Sequence, residues 1–236
     1  MVNHLTKILE FPTSADWFVA LATFLGVLVT LLAVLVALFK EEIVKLWRRP
    51  ILKARLSLNP QDCHKMPLMP KNTKTGSYLQ IGECYCFRIW VENTGLKRAY
   101  QVQVFAAELK RKHADGYFKK VESFLPMNLK WSHYENKIFA EGISPKMGQH
   151  CTLGLIRALD GSCDKTKSDF KFELETEVVP STRSNEFGKG EYQLLLRIGA
   201  SNCAPLEKIF QINFKGKWYD DENEMFSDGI GIITVK

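Results

Sequence analysis

The chain lacks the short motifs that carry common chemistries. It contains no G-x-S-x-G, no P-loop, no G-x-G-x-x-G and no H-E-x-x-H. Histidine is sparse: His4, His64, His113, His133 and His150 are the five in the chain, and none stands at a catalytic spacing. Ser132 beside His133 fixes no side-chain geometry. Catalysis needs a nucleophile, a base and a polarising group held together, so neither an enzyme nor a cofactor is expected.

Cysteine is also too scattered to form a framework: Cys63, Cys84, Cys86, Cys151, Cys163 and Cys203. A body of this size builds a core without disulfides, as a reduced compartment requires. Three bridges in an exported body are the alternative that the even count permits. Cys63, His64, Cys84 and Cys86 hold metal-binding atoms, but at no known zinc spacing; half-buried small cysteines are the simpler reading, and no metal is expected. His150 and Cys151 would point to opposite faces of a strand.

What the chain does have is one long apolar run. Trp17 to Phe39 reads WFVALATFLGVLVTLLAVLVALF, 23 residues without a charge, 15 of them Leu, Val or Phe. As a helix it extends roughly 35 Å, enough to cross a hydrocarbon core of about 30 Å with some tilt. Those 15 side chains favour the bilayer by about 6 kcal/mol on an insertion scale. The run is too long for a signal peptide, its N-terminal flank is not basic, and Lys40, Glu41 and Glu42 follow it instead of a small-residue cleavage site. Residues 17–39 are therefore expected to span a membrane.

Charge sets the expected orientation. Residues 1–16 hold Lys7 as their one Lys or Arg, whereas residues 40–55 hold Lys40, Lys45, Arg48, Arg49, Lys53 and Arg55. Positive flanks stay cytoplasmic. The expectation is a short extracytoplasmic N-terminus (1–16) and a cytosolic body (51–236) in a bacterial inner membrane. Residues 40–50 are expected to continue the helix, supported by a Glu41–Lys45 pair and stopped by Pro50. Trp47, Arg48 and Arg49 would anchor it at the headgroups.

Within the span, Thr23, Gly26, Thr30, Ala33 and Ala37 recur at steps of three and four, one narrow seam of small residues. Such seams let helices approach closely in lipid. One reading is a homo-oligomer, a tetramer among its forms, with the seam lining its axis as a pore. The other is a plain anchor that tolerates small residues.

From Ile51 the pattern changes to short alternating segments. In 84–93 Tyr85, Phe87, Ile89 and Val91 share a face, and in 100–109 Val102, Val104 and Ala106 do. Further alternating runs cover 52–58, 150–159, 169–177, 191–201, 206–214 and 229–235, separated by Asn93-Thr94-Gly95, Asp115-Gly116, Ser144-Pro145, Asp160-Gly161 and Gly188-Lys189-Gly190. Period-two strands with frequent turns predict one antiparallel β-sandwich. Residues 59–80 read as a loop, and 110–150 as an elaboration.

The stretch RIWVENTGLKRAYQVQVFAAEL resembles the V-x-N-x-G-x-x-x-A-x-x-V-x-V hairpin of bacterial immunoglobulin-like domains, with Asn93 and Gly95 at the turn and Ala99, Val102 and Val104 beginning the next strand. The N-terminal span, the Arg48-Arg49-Pro50 boundary and the Leu129-x-Trp131-Ser132 element make the layout similar to small bacterial single-span membrane proteins. Some of those are effectors of nucleotide-signalling antiphage defence, of the CBASS and Hailong kind. The resemblance implies an immunoglobulin-like sandwich and membrane disruption or ion conduction, gated by a nucleotide or oligonucleotide on the cytosolic domain. A membrane-tethered interaction module without conductance is the alternative.

Net charge is +6, and four of those six arise in residues 40–55, so duplex nucleic acid is not an expected partner. Arg88 and Trp90 share a strand face and pair a guanidinium with an indole, which suits a phosphate and a stacked base. Lys110, Arg111 and Lys112 form a second candidate cluster, beside lesser ones at Lys119-Lys120 and at Lys165 and Lys167. Arg157 and Arg197 lie in predicted strands, where each needs a partner.

Overall fold

A computed structural model describes residues 14–70, 76–132, 139–159 and 169–235. The chain divides into two compact units, residues 1–48 and 49–236.

Among the described residues the first unit contains one helix, α1 (Ser14–Trp47). Residues Ala15–Glu42 within it are long and apolar enough to cross a membrane, and none of that stretch is buried by the protein. The helix runs unbroken past Phe39 and ends at Trp47, three residues before Pro50. Arg49, preceding a proline, is disfavoured in the helical region.

The second unit is a sandwich of two sheets, antiparallel in every pairing. Its strands are β1 (Leu52–Arg55), β2 (Cys63–Leu68), β3 (Gly82–Asn93), β4 (Ala99–Lys112), β5 (Phe118–Lys120), β6 (Met127–Asn128), β7 (Ala140–Ile143), β8 (Gly148–Leu159), β9 (Phe172–Leu174), β10 (Glu186–Phe187), β11 (Gly190–Ala200), β12 (Cys203–Phe214) and β13 (Ile230–Val235). One sheet runs β1-β3-β8-β9-β10, with β2 following β1 along the same edge of β3. The other runs β13-β12-β11-β4, and β7, β6 and β5 lie in series along the far edge of β4.

The alternation read in the sequence is the alternation of burial. Tyr85, Phe87, Ile89 and Val91 point inward and are sealed from solvent, as are Val102, Val104 and Ala106 from the facing sheet. Phe172, Phe210 and Phe214 fill the space between them. Removing that apolar surface from water, at about 25 cal/mol per Å², is what holds the sheets together.

Two features depart from the sequence reading. Residues 59–80 contain strand β2, which carries Pro67 and pairs with one side of β3 only. Proline is admitted there because an edge strand has a backbone row with no ladder to lose. The segment after β6 also crosses between sheets. Leu129 N still donates to Val104 O of β4, whereas Thr152 N of β8 donates to Lys130 O and Ser132 N donates to His150 O. Residues 127–132 thus stitch the two sheets together.

Near the C-terminus, Asp221 caps a short helix α2 (Glu222–Glu224), accepting from the N–H groups of Asn223 and Glu224. A π-helical turn at Met225–Gly229 follows and places Phe226 against Tyr85 and Phe87.

Candidate functional site

The outer face of the first sheet carries the most chemically distinctive side chains. Because Tyr85 and Phe87 face inward, Cys84, Cys86 and Arg88 face out. With His64 and Met66 of β2, Thr152 of β8 and Lys130 and Ser132 of the crossing segment, they line a cleft of about 420 Å³.

Arg88 is its defining residue. One guanidinium nitrogen, Nη2, donates to the carbonyl of Gln61 at 2.6 Å and approaches Nδ1 of His64 at 3.4 Å. Nε is buried without a partner. Among the described residues no carboxylate pairs with Arg88. Burial and the adjacent Arg88 charge together lower the His64 pKa below its usual 6.5, so the imidazole is neutral at neutral pH. Arginine only donates, so Nδ1 is the accepting nitrogen in that contact.

The other charges in the cleft compensate each other. Lys130 lies 3.1 Å from Glu175, which also accepts from Arg157 at 3.3 Å, and Arg157 reaches Glu173 at 3.4 Å. Ser132 Oγ and Thr152 Oγ1 sit 3.0 Å apart on the wall. The net cationic character of the cleft therefore comes from Arg88.

The cysteines are inert here. Burial pushes the Cys84 thiol up to about 11 and that of Cys86 up to about 12, so both stay protonated at neutral pH. Cys63 pairs across from Phe87 and faces the core, on the opposite side of the sheet from Cys84 and Cys86. Among the described residues no group of His, Cys, Asp and Glu is arranged to hold a metal.

Trp90 shares the face with Arg88 but lines a different cleft, of about 580 Å³, together with Arg98 and Lys146. Its indole meets the ring of His150 edge-on at 4.8 Å, and the Arg55 guanidinium lies 5.9 Å from its centre. The two residues paired in the sequence reading thus serve separate cavities.

Asp62, which sequence reasoning passed over, organises the ground between them. Its carboxylate is buried, accepts from Ser57 N at 3.0 Å and Arg55 Nη1 at 3.2 Å, and lies 3.1 Å from His150 Nε2. Its carbonyl accepts from Arg88 N. A lone aspartate in a polar loop gives no sequence signal of this role.

Lys110, Arg111 and Lys112 lie at the end of β4 in the other sheet. Lys110 pairs with Glu108 at 3.1 Å and Lys112 with Glu191 at 2.9 Å. Arg111 donates to Lys189 O and covers the ring of Tyr192. Lys110 and Lys112 are compensated, and none of the three lines the Arg88 cleft. Arg197 likewise pairs with Glu207. Lys165 and Lys167 lie outside the described residues.

Along α1, Thr23, Gly26 and Thr30 line a shallow groove with Val27, Leu31 and Val34. The hydroxyls of Thr23 and Thr30 donate to Val19 O and Gly26 O, each at 2.8 Å, which hides their polarity within the helix. A Cβ on Gly26 would meet no other atom. Ala33 and Ala37 continue on the exposed helix surface. Arg48 and Arg49 are exposed; the side chain of Trp47 lies outside the described residues.

Fold and site together define a class: a β-sandwich behind one helix that is long and apolar enough to cross a membrane. No protein-family model matches the chain, and no curated protein gives a significant match.

Proposed function

We propose that this chain is a single-span membrane effector whose sandwich senses a small phosphate-bearing anion, such as a nucleotide, in the Arg88 cleft. The supporting observation is the Arg88 guanidinium, a half-buried cation with no carboxylate partner among the described residues and a buried Nε without an acceptor. A guanidinium partly withdrawn from water, with a donor left unpaired, is stabilised when an anion answers it. A cleft of about 420 Å³ falls inside the range of roughly 300–1,000 Å³ typical of small-molecule sites.

In this reading α1 crosses the cell membrane with its N-terminus outside and the sandwich in the cytosol, as the flanking charges favour. The span self-associates through the Thr23–Gly26–Thr30 groove, and ligand arrival or loss shifts the assembly between closed and conducting states. Such coupling requires the ligand to bind the two states with different affinity. This is the organisation implied by the resemblance to nucleotide-signalling defence effectors.

The test is calorimetric titration of the full chain in nanodiscs with ATP, a cyclic dinucleotide and pyrophosphate. At least one probe is expected to bind, and Arg88→Gln to weaken it at least about tenfold, while reversal of Lys110, Arg111 and Lys112 to Glu leaves affinity unchanged. Binding by a folded Arg88→Gln variant at native affinity would refute the assignment.

A further inference from the structure

The end of the sandwich at which the chain arrives from Pro50 is built from four turns tied to one another. Thr94 N donates to Ile51 O at 2.8 Å and Leu96 N to Arg49 O at 3.4 Å. Lys146 N donates to Asn93 O at 2.7 Å, and Asn93 N to Met147 O at 2.9 Å. Asn202 Nδ2 donates to Arg98 O at 2.8 Å. This end is therefore a preformed platform.

Three of its turns each expose a large apolar side chain: Ile51 at 46 %, Leu96 at 64 % and Met147 at 63 % of full exposure. Around them stand the exposed cations Arg49, Lys97, Arg98 and Lys146. No carboxylate pairs with Arg98 or Lys146 among the described residues, although Glu92 and Glu141 lie on neighbouring strands. Apolar tips ringed by cations are the composition of a surface that meets anionic headgroups, where the tips enter the interfacial layer and the cations take the phosphates.

Between these turns opens the 580 Å³ cleft walled by Trp90, Arg98, Lys146 and Met147. Two glycines make room for its walls. A Cβ on Gly148 would fall inside the Trp90 indole, and one on Gly142 would collide with the Arg98 guanidinium. Bare backbone at both positions lets these two side chains fold in and leave a concave seat with two cations, Arg98 and Lys146, that no carboxylate pairs among the described residues.

We propose that this cleft seats the phosphate headgroup of an anionic lipid, with Arg98 and Lys146 on the phosphate and Leu96, Met147 and Ile51 in the interfacial layer. The inference rests on the reading that α1 spans the bilayer. Four residues, Arg48 to Ile51, link the last helical residue to the first strand. The helix rises about 12 Å from Phe39, the end of the apolar run, to Trp47, and the link reaches at most roughly 18 Å further. The covalent path therefore holds these turns within roughly 30 Å of that end, and lipid is the phosphate source it keeps near them.

The test uses the full chain with Cys163 and Cys203 replaced by Ser and a nitroxide on Met147→Cys, or on Val178→Cys as an exposed control. Collision with an aqueous nickel chelate is measured in nanodiscs of phosphatidylcholine, with and without phosphatidylglycerol. Phosphatidylglycerol is expected to lower collision at position 147 about twofold or more and to leave position 178 unchanged. Arg98→Glu with Lys146→Glu is expected to abolish the difference, with the thermal melt unchanged.

Equal collision in both lipids overturns the proposal. So does protection by inorganic phosphate in pure phosphatidylcholine discs, which would mark a free-anion site. Protection that appears only with more than one copy per disc would mark an interface between copies and also overturns it. Alkaline carbonate extraction from vesicles reports the span separately: a chain that washes off refutes the spanning helix, whereas a retained chain with an aqueous Met147 label refutes the headgroup seat alone.

Discussion

Nε2 of His150 lies 3.1 Å from Oδ1 of Asp62, a carboxylate sealed from solvent 88 positions away in sequence. The contact fastens the arch between β1 and β2 onto β8, and the same carboxylate gathers Ser57 N and the Arg55 guanidinium. The arch in turn supplies the Gln61 carbonyl that holds Arg88. Replacing Asp62 by Ala strips several donors of their acceptor at once, so a loss of about 2–4 kcal/mol is expected. Urea unfolding of the detergent-solubilised chain, followed by tryptophan fluorescence, measures it; a change within about 0.5 kcal/mol would show that the network carries no stability.

His64 gives the fold a pH dependence whose sign is fixed. Burial and Arg88 depress its folded pKa below 6.5, so between the two values the unfolded chain binds more protons. The stabilisation is complete above 6.5 and is lost as pH falls through the lower folded value. On acidification the native chain is expected to lose stability relative to His64→Gln in melting curves, because the variant has no such proton to take up. A native chain that gains stability relative to the variant toward acid would contradict the sign.

Glycine positions separate tight backbone contact from open surface. A Cβ on Gly95 would strike the backbone of Arg49, Pro50 and Ile51, whereas one on Gly199 would meet nothing. Gly95→Ala is expected to destabilise by about 2 kcal/mol or more, and Gly199→Ala to stay within about 0.5 kcal/mol. Thermal melts of the two variants side by side provide the comparison.

For the self-association proposed for α1, Gly26→Leu with Ala33→Leu would fill the groove and hold neighbouring helices apart. Cross-linking in native membranes is expected to fall to the monomer level, while Leu38→Ala, off the groove, leaves it unchanged. Undiminished cross-linking in the double variant would remove the groove from the assembly.

Period two was readable because the sheets bury one face. Tyr85, Phe87, Ile89 and Val91 could occupy no other side without exposing four large apolar groups. Asn93 and Gly95 were readable as a turn, and the structure adds why Asn is needed: its Oδ1 accepts from Ile51 N and Gly95 N, and its Nδ2 donates to Lys97 O and Ile143 O. Strand β2 was not readable, because Pro67, Lys65 and His64 spoil a core pattern that an edge never needed. The Arg88 cleft was half readable. Alternation put Arg88 and Trp90 on one face, but their separation depends on the Asp62 arch and on Gly148, contacts between residues distant in sequence. Charge runs misled for a related reason. Lys110 and Lys112 look like a patch in one dimension and meet Glu108 and Glu191 in three.

Under the proposed membrane reading, the interrupted edge made by β1 and β2 has a consequence for a chain confined to two dimensions. Tethered copies meet at high local concentration, where a bare strand edge invites stacking into fibres. This edge offers no continuous row: the Asp62 arch breaks it, Pro67 lacks a donor, and Glu222 Oε1 already occupies Lys65 N at 2.6 Å. Copies crowded at a bilayer would then be kept from adding strand to strand through this edge.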